Sequence, residues 1–199
     1  MKRIITLLIT SISINTANAQ IDAKSSIYTA FELNFGNYVG FDISLNYIHK
    51  EDYSFKLGYT GNIRKPESQP EDYSSGITGI FIFPLQALQA AYDQFENYQI
   101  GFGKVYNINS SGTIRANLSL GLGYTTIREP ENWQKINDGF FSENYTWDYY
   151  KYNTLSLIIN PKIELAIKRF YGITISPMVQ ISKDRTYFGV GLGSMIGAL

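Results

Sequence analysis

The side chains able to do chemistry in this chain are few, and their spacing does not assemble a catalytic centre. Histidine occurs once, as His49 in His49-Lys50-Glu51, and cysteine is absent, which removes thiol chemistry and disulfide staples. Acyl transfer needs a nucleophile and a base held together. No nucleophile elbow, phosphate loop or metal-ligand spacing occurs, so no catalytic residue and no cofactor or metal is expected. The carboxylates Glu67, Glu71, Asp72, Glu129, Glu131, Asp138, Glu143 and Asp148 read as a solvated loop face. Three glycosylation-type triplets (from Asn109, Asn117 and Asn144) read as chance matches. Lys plus Arg and Asp plus Glu are 17 each, so no global field favours nucleic acid.

Six other charges form a pattern. Glu32, Asp42, Lys56, Arg115, Lys162 and Glu164 all fall in the polar register of segments that alternate with period two. Thr113–Ile127 is the clearest segment. Ile114, Ala116, Leu118, Leu120, Leu122 and Tyr124 alternate with Arg115, Asn117, Ser119, Gly121 and Gly123, an order that separates two faces on a strand and mixes them on a helix. Comparable runs occupy Ile27–Phe35, Val39–His49, Tyr53–Thr60, Tyr98–Tyr106, Tyr150–Lys168, Tyr171–Ser182 and Thr186–Leu199. The expectation is an all-β fold: an eight-stranded antiparallel up-and-down transmembrane β-barrel.

Residues 1–19 read as a cleaved signal peptide. Lys2-Arg3 precede a short apolar region and the small-residue pattern Ala17-Asn18-Ala19. Residues 20–199 read as the barrel domain, with long extracellular loops at about 61–97 and 128–149. Within the first, Leu85, Leu88, Tyr92 and Phe95 fall on one helical face, so a short helix is expected over Leu85–Phe95. The segment from Gly79 to Phe95 is expected to fold over the barrel mouth or lie on the outer leaflet.

Alternation alone fits a soluble barrel with an apolar interior or a membrane barrel with an apolar exterior. The six charges sum to zero and lie on one register, and Lys104 is the one charge well inside a strand on the other. A basic side chain facing lipid at mid-depth costs ~2–4 kcal/mol, which favours an apolar exterior and a charged lumen. Both long interruptions fall at the same end, as membrane barrels have it. Tyrosines near strand ends suit the interfaces. Arg115 with Glu164 is the expected cross-strand pair, and inward glycines such as Gly101, Gly121, Gly189 and Gly191 are expected to leave room in the lumen.

Over roughly residues 27–199 this pattern resembles the small eight-stranded outer-membrane barrels of the OmpA/OmpX kind. The resemblance implies insertion in the outer membrane of a Gram-negative envelope, contact with outer-membrane lipid, and a lumen too narrow for a diffusive pore. Such barrels usually finish on an aromatic residue, whereas this chain finishes Gly197-Ala198-Leu199. Lipid A deacylase barrels carry a His-x-Ser element, which His49-Lys50-Glu51 does not match. The leading functional reading is a structural or interaction barrel, with Trp133, Phe140, Phe141, Tyr145 and Trp147 as a loop contact surface for an extracellular ligand or protein. Passage of a small apolar molecule is the alternative, and an envelope lipid-modifying enzyme ranks last.

Overall fold

The computed structural model describes residues 25–74, 91–136 and 143–199. Among these, eight strands follow one another: β1 (Ser26–Gly36), β2 (Val39–His49), β3 (Tyr53–Arg64), β4 (Asp93–Asn107), β5 (Ile114–Lys135), β6 (Tyr145–Lys168), β7 (Tyr171–Ser182) and β8 (Thr186–Ala198). Each pairs antiparallel with the next, and β8 returns to β1 from Ile27↔Ala198 to Gly36↔Gly189, closing the ring. The period-two pattern makes this closure favourable, because a closed sheet leaves no unpaired edge within the bilayer.

The faces divide as the alternation requires. Leu57, Ile100, Leu120 and Leu122 are each 61% exposed on the outer wall. Glu32, Asp42, Arg115, Lys162 and Glu164 are buried in the lumen. An apolar exterior around a charged interior is stable in lipid and unstable in water. The fold is therefore a transmembrane barrel.

Short connections (50–52, 108–113 and 169–170) lie at one end, here the turn end; the long ones (65–92 and 136–144) lie at the other, the loop end. At the turn end Lys50 and Glu51 both adopt left-handed backbone, with φ of 50° and 61°. The Asp52 amide donates to the His49 carbonyl at 3.0 Å.

Two long strands outrun the barrel, so the interruptions at 61–97 and 128–149 are shorter than the sequence suggested. β3 continues to Arg64, β4 begins at Asp93, and β5 and β6 stay paired up to Lys135↔Tyr145. Above the membrane a hairpin has no lipid side, so its residues need not alternate. The pattern that marks the strands lower down is therefore missing there. The expected helix of Leu85–Phe95 is also corrected, because Asp93–Phe95 are strand β4; residues 85–90 lie outside the described residues.

Between β6 and β7 the ladder is interrupted between Ile159↔Val179 and Ile163↔Ile175. The register puts Pro161 opposite Pro177, and neither carries an N–H donor. Asn160 repairs part of the gap, its side-chain amide donating to the Pro177 carbonyl at 3.0 Å.

Candidate functional site

The lumen is filled in three layers. At the turn end Tyr28, Ala30, Ile48, Val105 and Met195 form an apolar layer. At the loop end Tyr38, Phe95, Ile127, Ile158, Met178 and Tyr187 form another, with Phe95 set 5.6 Å from Tyr38 and 6.5 Å from Tyr187 between ring centroids. Charged and polar side chains occupy the space between.

All six charges sit in or beside that middle layer. Lys162 meets Glu32 at 3.0 Å, Arg115 meets Glu164 at 3.0 Å, and Lys56 meets Asp42 at 3.2 Å. Arg115 and Glu164 are direct partners in the β5–β6 register, whereas Lys162–Glu32 spans the lumen between β6 and β1, which are not neighbours in the ring. Tyr28 from β1 also donates across the lumen to Glu164 of β6, and Lys56 of β3 donates to Asn160 of β6 at 3.2 Å. Asp42 accepts in addition from Thr60 at 2.8 Å and Gln99 at 2.5 Å, and Glu32 from Ser176 at 2.5 Å. Opposite charges desolvated together offset a penalty that either alone would carry in full.

The inward glycines make room for these side chains. A Cβ on Gly123 would lie 2.1 Å from the Asn97 amide, and one on Gly191 would lie 3.0 Å from Glu32 Oε2. Tyr187 and Met178 occupy the loop-end lumen, while Tyr28 lies at the turn end. Phe95 reaches the lumen from β4. Residues 79–90 of the segment expected to cover the mouth lie outside the described residues.

A second cluster stands on the projecting hairpin of β5 and β6. Trp133, Tyr145 and Trp147 come together with Tyr73 of the preceding connection, at ring-centroid distances of 5.7 Å for Trp133–Trp147, 6.2 Å for Trp133–Tyr145 and 5.4 Å for Tyr73–Trp133. Phe140 and Phe141 lie outside the described residues. Sequence reading missed Tyr73, which sits 60 positions before Trp133 in a polar stretch; only its aromatic character among loop residues marked it. Asn144 docks the connection onto the hairpin, accepting from the Ser74 amide at 2.7 Å and donating to the Asp72 carbonyl at 2.7 Å. Asp72 accepts from Lys135 and Tyr145, each at 2.6 Å. Those two hydrogen bonds hold its carboxyl below the usual range. Burial pushes the Glu143 carboxyl up, although the Tyr73 hydroxyl donates to it at 3.2 Å.

His49 lies at the end of β2 with its Nδ1 3.1 Å from the Tyr47 hydroxyl. Among the described residues no group of His, Asp or Glu is arranged to hold a metal ion.

These observations define the class: a small transmembrane β-barrel with a packed lumen and one elongated hairpin. No family model and no curated protein matches the chain. Solved structures of outer-membrane barrels do. A major outer membrane protein from Thermus thermophilus superimposes with a TM-score of 0.53 at 8% identity, covering 87% of this chain and 99% of that one. Ail, the attachment invasion locus protein of Yersinia pestis, gives 0.48 at 14% identity over 88% of this chain and 96% of its own. Neisserial surface protein A gives 0.47 at 11% over 86% and 94%. At such identities the likeness is one of fold.

Proposed function

We propose that the protein is exported by a cleaved leader to the outer membrane of a Gram-negative envelope, with its loop end outside the cell. There it works as a structural or surface-interaction barrel, without catalysis. The observation that carries this reading is the contrast between a lumen filled by ion pairs under two apolar layers and a hairpin held above the membrane with four clustered aromatic rings. Among the described residues the lumen is filled by these layers, which counts against passage of a small apolar molecule. The hairpin gives aromatic area on a rigid support, the feature that contact surfaces use.

The test is surface exposure. Protease or a membrane-impermeant label applied to intact cells should reach the hairpin, and the membrane-fraction band should shift in mobility on heating. A soluble band that does not shift, or a hairpin protected in intact cells, would remove the proposal.

A further inference from the structure

We propose that the outer wall over β3–β6 holds one phosphate-bearing lipid of the loop-end leaflet, its phosphate between Arg128 and Lys151 and an acyl chain in the groove beneath them. Two separate observations place the two ends of this ligand on the same strands.

The first is an apolar groove of about 540 Å³ on the outer wall, lined by Phe55, Ile100, Phe102, Leu120, Leu122 and Leu157. Its floor is strand backbone at Lys56, Gly101 and Gly121, positions whose register faces the lumen. Phe55 and Phe102, with ring centroids 5.2 Å apart across β3 and β4, form one side of the groove. Solvent hydrocarbon would enter such a groove transiently. A chain tethered at its head would stay.

The second is the tether. Arg128 and Lys151 are direct partners in the β5–β6 register. Counting by twos from Leu122 and Leu157 puts both on the outward face, with no register shift between. The levels above the apolar band follow in order: Tyr124 opposite Leu155, then Thr126 opposite Asn153, then Arg128 opposite Lys151. The polar level is closed on itself, since Thr126 donates to Asn153 Oδ1 at 2.8 Å. The cationic level is not. Arg128 directs one terminal nitrogen to Glu96 at 3.2 Å and to Gln94 at 3.0 Å, which orients the guanidinium and leaves its other nitrogens without a partner among the described residues. Lys151 is exposed and has no ion-pair partner among the described residues. Two cations side by side repel unless an anion sits between them, and Glu96 neutralises only one.

The spacing suits a lipid. Six residues separate Leu122 from Arg128, about 20 Å along a strand, which a tilt of roughly 45° reduces to about 15 Å of depth. That is half of a ~30 Å hydrocarbon core, the reach of one leaflet's chains.

The test uses purified, full-length folded protein in mixed micelles, with phosphatidic acid or phosphatidylcholine as probe and native mass spectrometry as readout. The expected result is one retained phosphatidic acid under conditions that strip phosphatidylcholine. Arg128→Gln with Lys151→Gln should lower that retention about thirtyfold, given roughly 1 kcal/mol for each of the two basic residues at an anionic surface. The swap Arg128→Lys with Lys151→Arg should keep it. Leu120→Trp, which fills the groove and leaves both cations, should lower it too. Heat-shifted mobility reports folding of each variant, and the single exposed change Lys151→Gln keeps the test decisive if the double variant does not fold. Equal retention of the two lipids, undiminished binding in the charge or groove variants, or displacement by inorganic phosphate alone would overturn the proposal.

Discussion

Glu164 shows what a single side chain does in this lumen. It is fully buried and meets Arg115 at 3.0 Å, Asn117 at 3.2 Å, and the Tyr28 hydroxyl from across the ring. Removing its charge leaves Arg115 desolvated without an ion-pair partner, its hydrogen bond to Ser26 at 3.2 Å remaining, so Glu164→Leu should destabilise the folded barrel by about 3–5 kcal/mol. Tyr28→Phe removes one hydrogen bond to a charged group and should cost about 1.5–3 kcal/mol. Pairing Glu164→Leu with Arg115→Leu should restore much of the loss, because neither charge is then stranded. Urea-dependent loss of the heat-modifiable band in lipid vesicles measures all three, and a double variant as weak as Glu164→Leu would contradict the argument. The adjacency of Arg115 and Glu164 is readable from sequence, since consecutive strands pair. The link from Lys162 to Glu32 is not readable, because which inward residues meet across a lumen depends on how the closed ring staggers its strands.

At the scale of elements, the hairpin is where sequence and structure part. Within the bilayer each strand must show lipid one face and the lumen the other, and that demand writes the alternation. Above it Glu129 turns inward to pair with Arg185, Asn132 takes left-handed backbone at a bulge, with φ of 56°, and the pattern fades although pairing continues. What replaces it is docking, through Asn144, Asp72 and Tyr73. The chain has two tryptophans, Trp133 and Trp147, and both stand in this cluster, so intrinsic tryptophan fluorescence reports on it alone. Asp72 has a carboxyl held below its ordinary 3.8 by hydrogen bonds from Lys135 and Tyr145. Its contribution is complete above that value and is lost as pH falls through the lower folded value. Glu143, raised by burial, acts in the opposite sense, favouring the docked form while protonated and losing that contribution as pH rises through its folded value. Tryptophan emission should therefore shift to the red on acidification below about pH 4, and Asp72→Asn should flatten that step. Asn144→Ala should give red-shifted emission already at neutral pH, with the barrel's heat-modifiable shift unchanged. Emission that ignores both substitutions would mean that the connection does not depend on these contacts.

The whole molecule stacks its barriers in series. A solute entering from the loop end would meet Tyr38, Phe95 and Tyr187, then the ion-paired layer around Lys162 and Glu32, then Tyr28, Val105 and Met195 at the turn end. An eight-stranded ring is just wide enough for its own side chains, so each layer closes the lumen without help from the others. That arrangement leads to a prediction about truncation. Phe95→Ala with Tyr187→Ala removes two large rings from one layer and should cost stability of about 3–5 kcal/mol for each ring, yet the central charges still block the path. The double variant should be destabilised and remain silent in planar bilayers. Adding Tyr28→Ala thins the second apolar layer and unties Glu164 from β1, but the Lys162–Glu32 pair still crosses the ring, so this triple variant should be silent as well. Conductance should begin only when Glu32→Ala and Lys162→Ala are added to that triple variant, so that all three layers are opened together. Discrete channel steps from the unaltered protein, or from the loop-end double variant alone, would show that the middle layer does not seal the barrel and would return solute passage to the leading place.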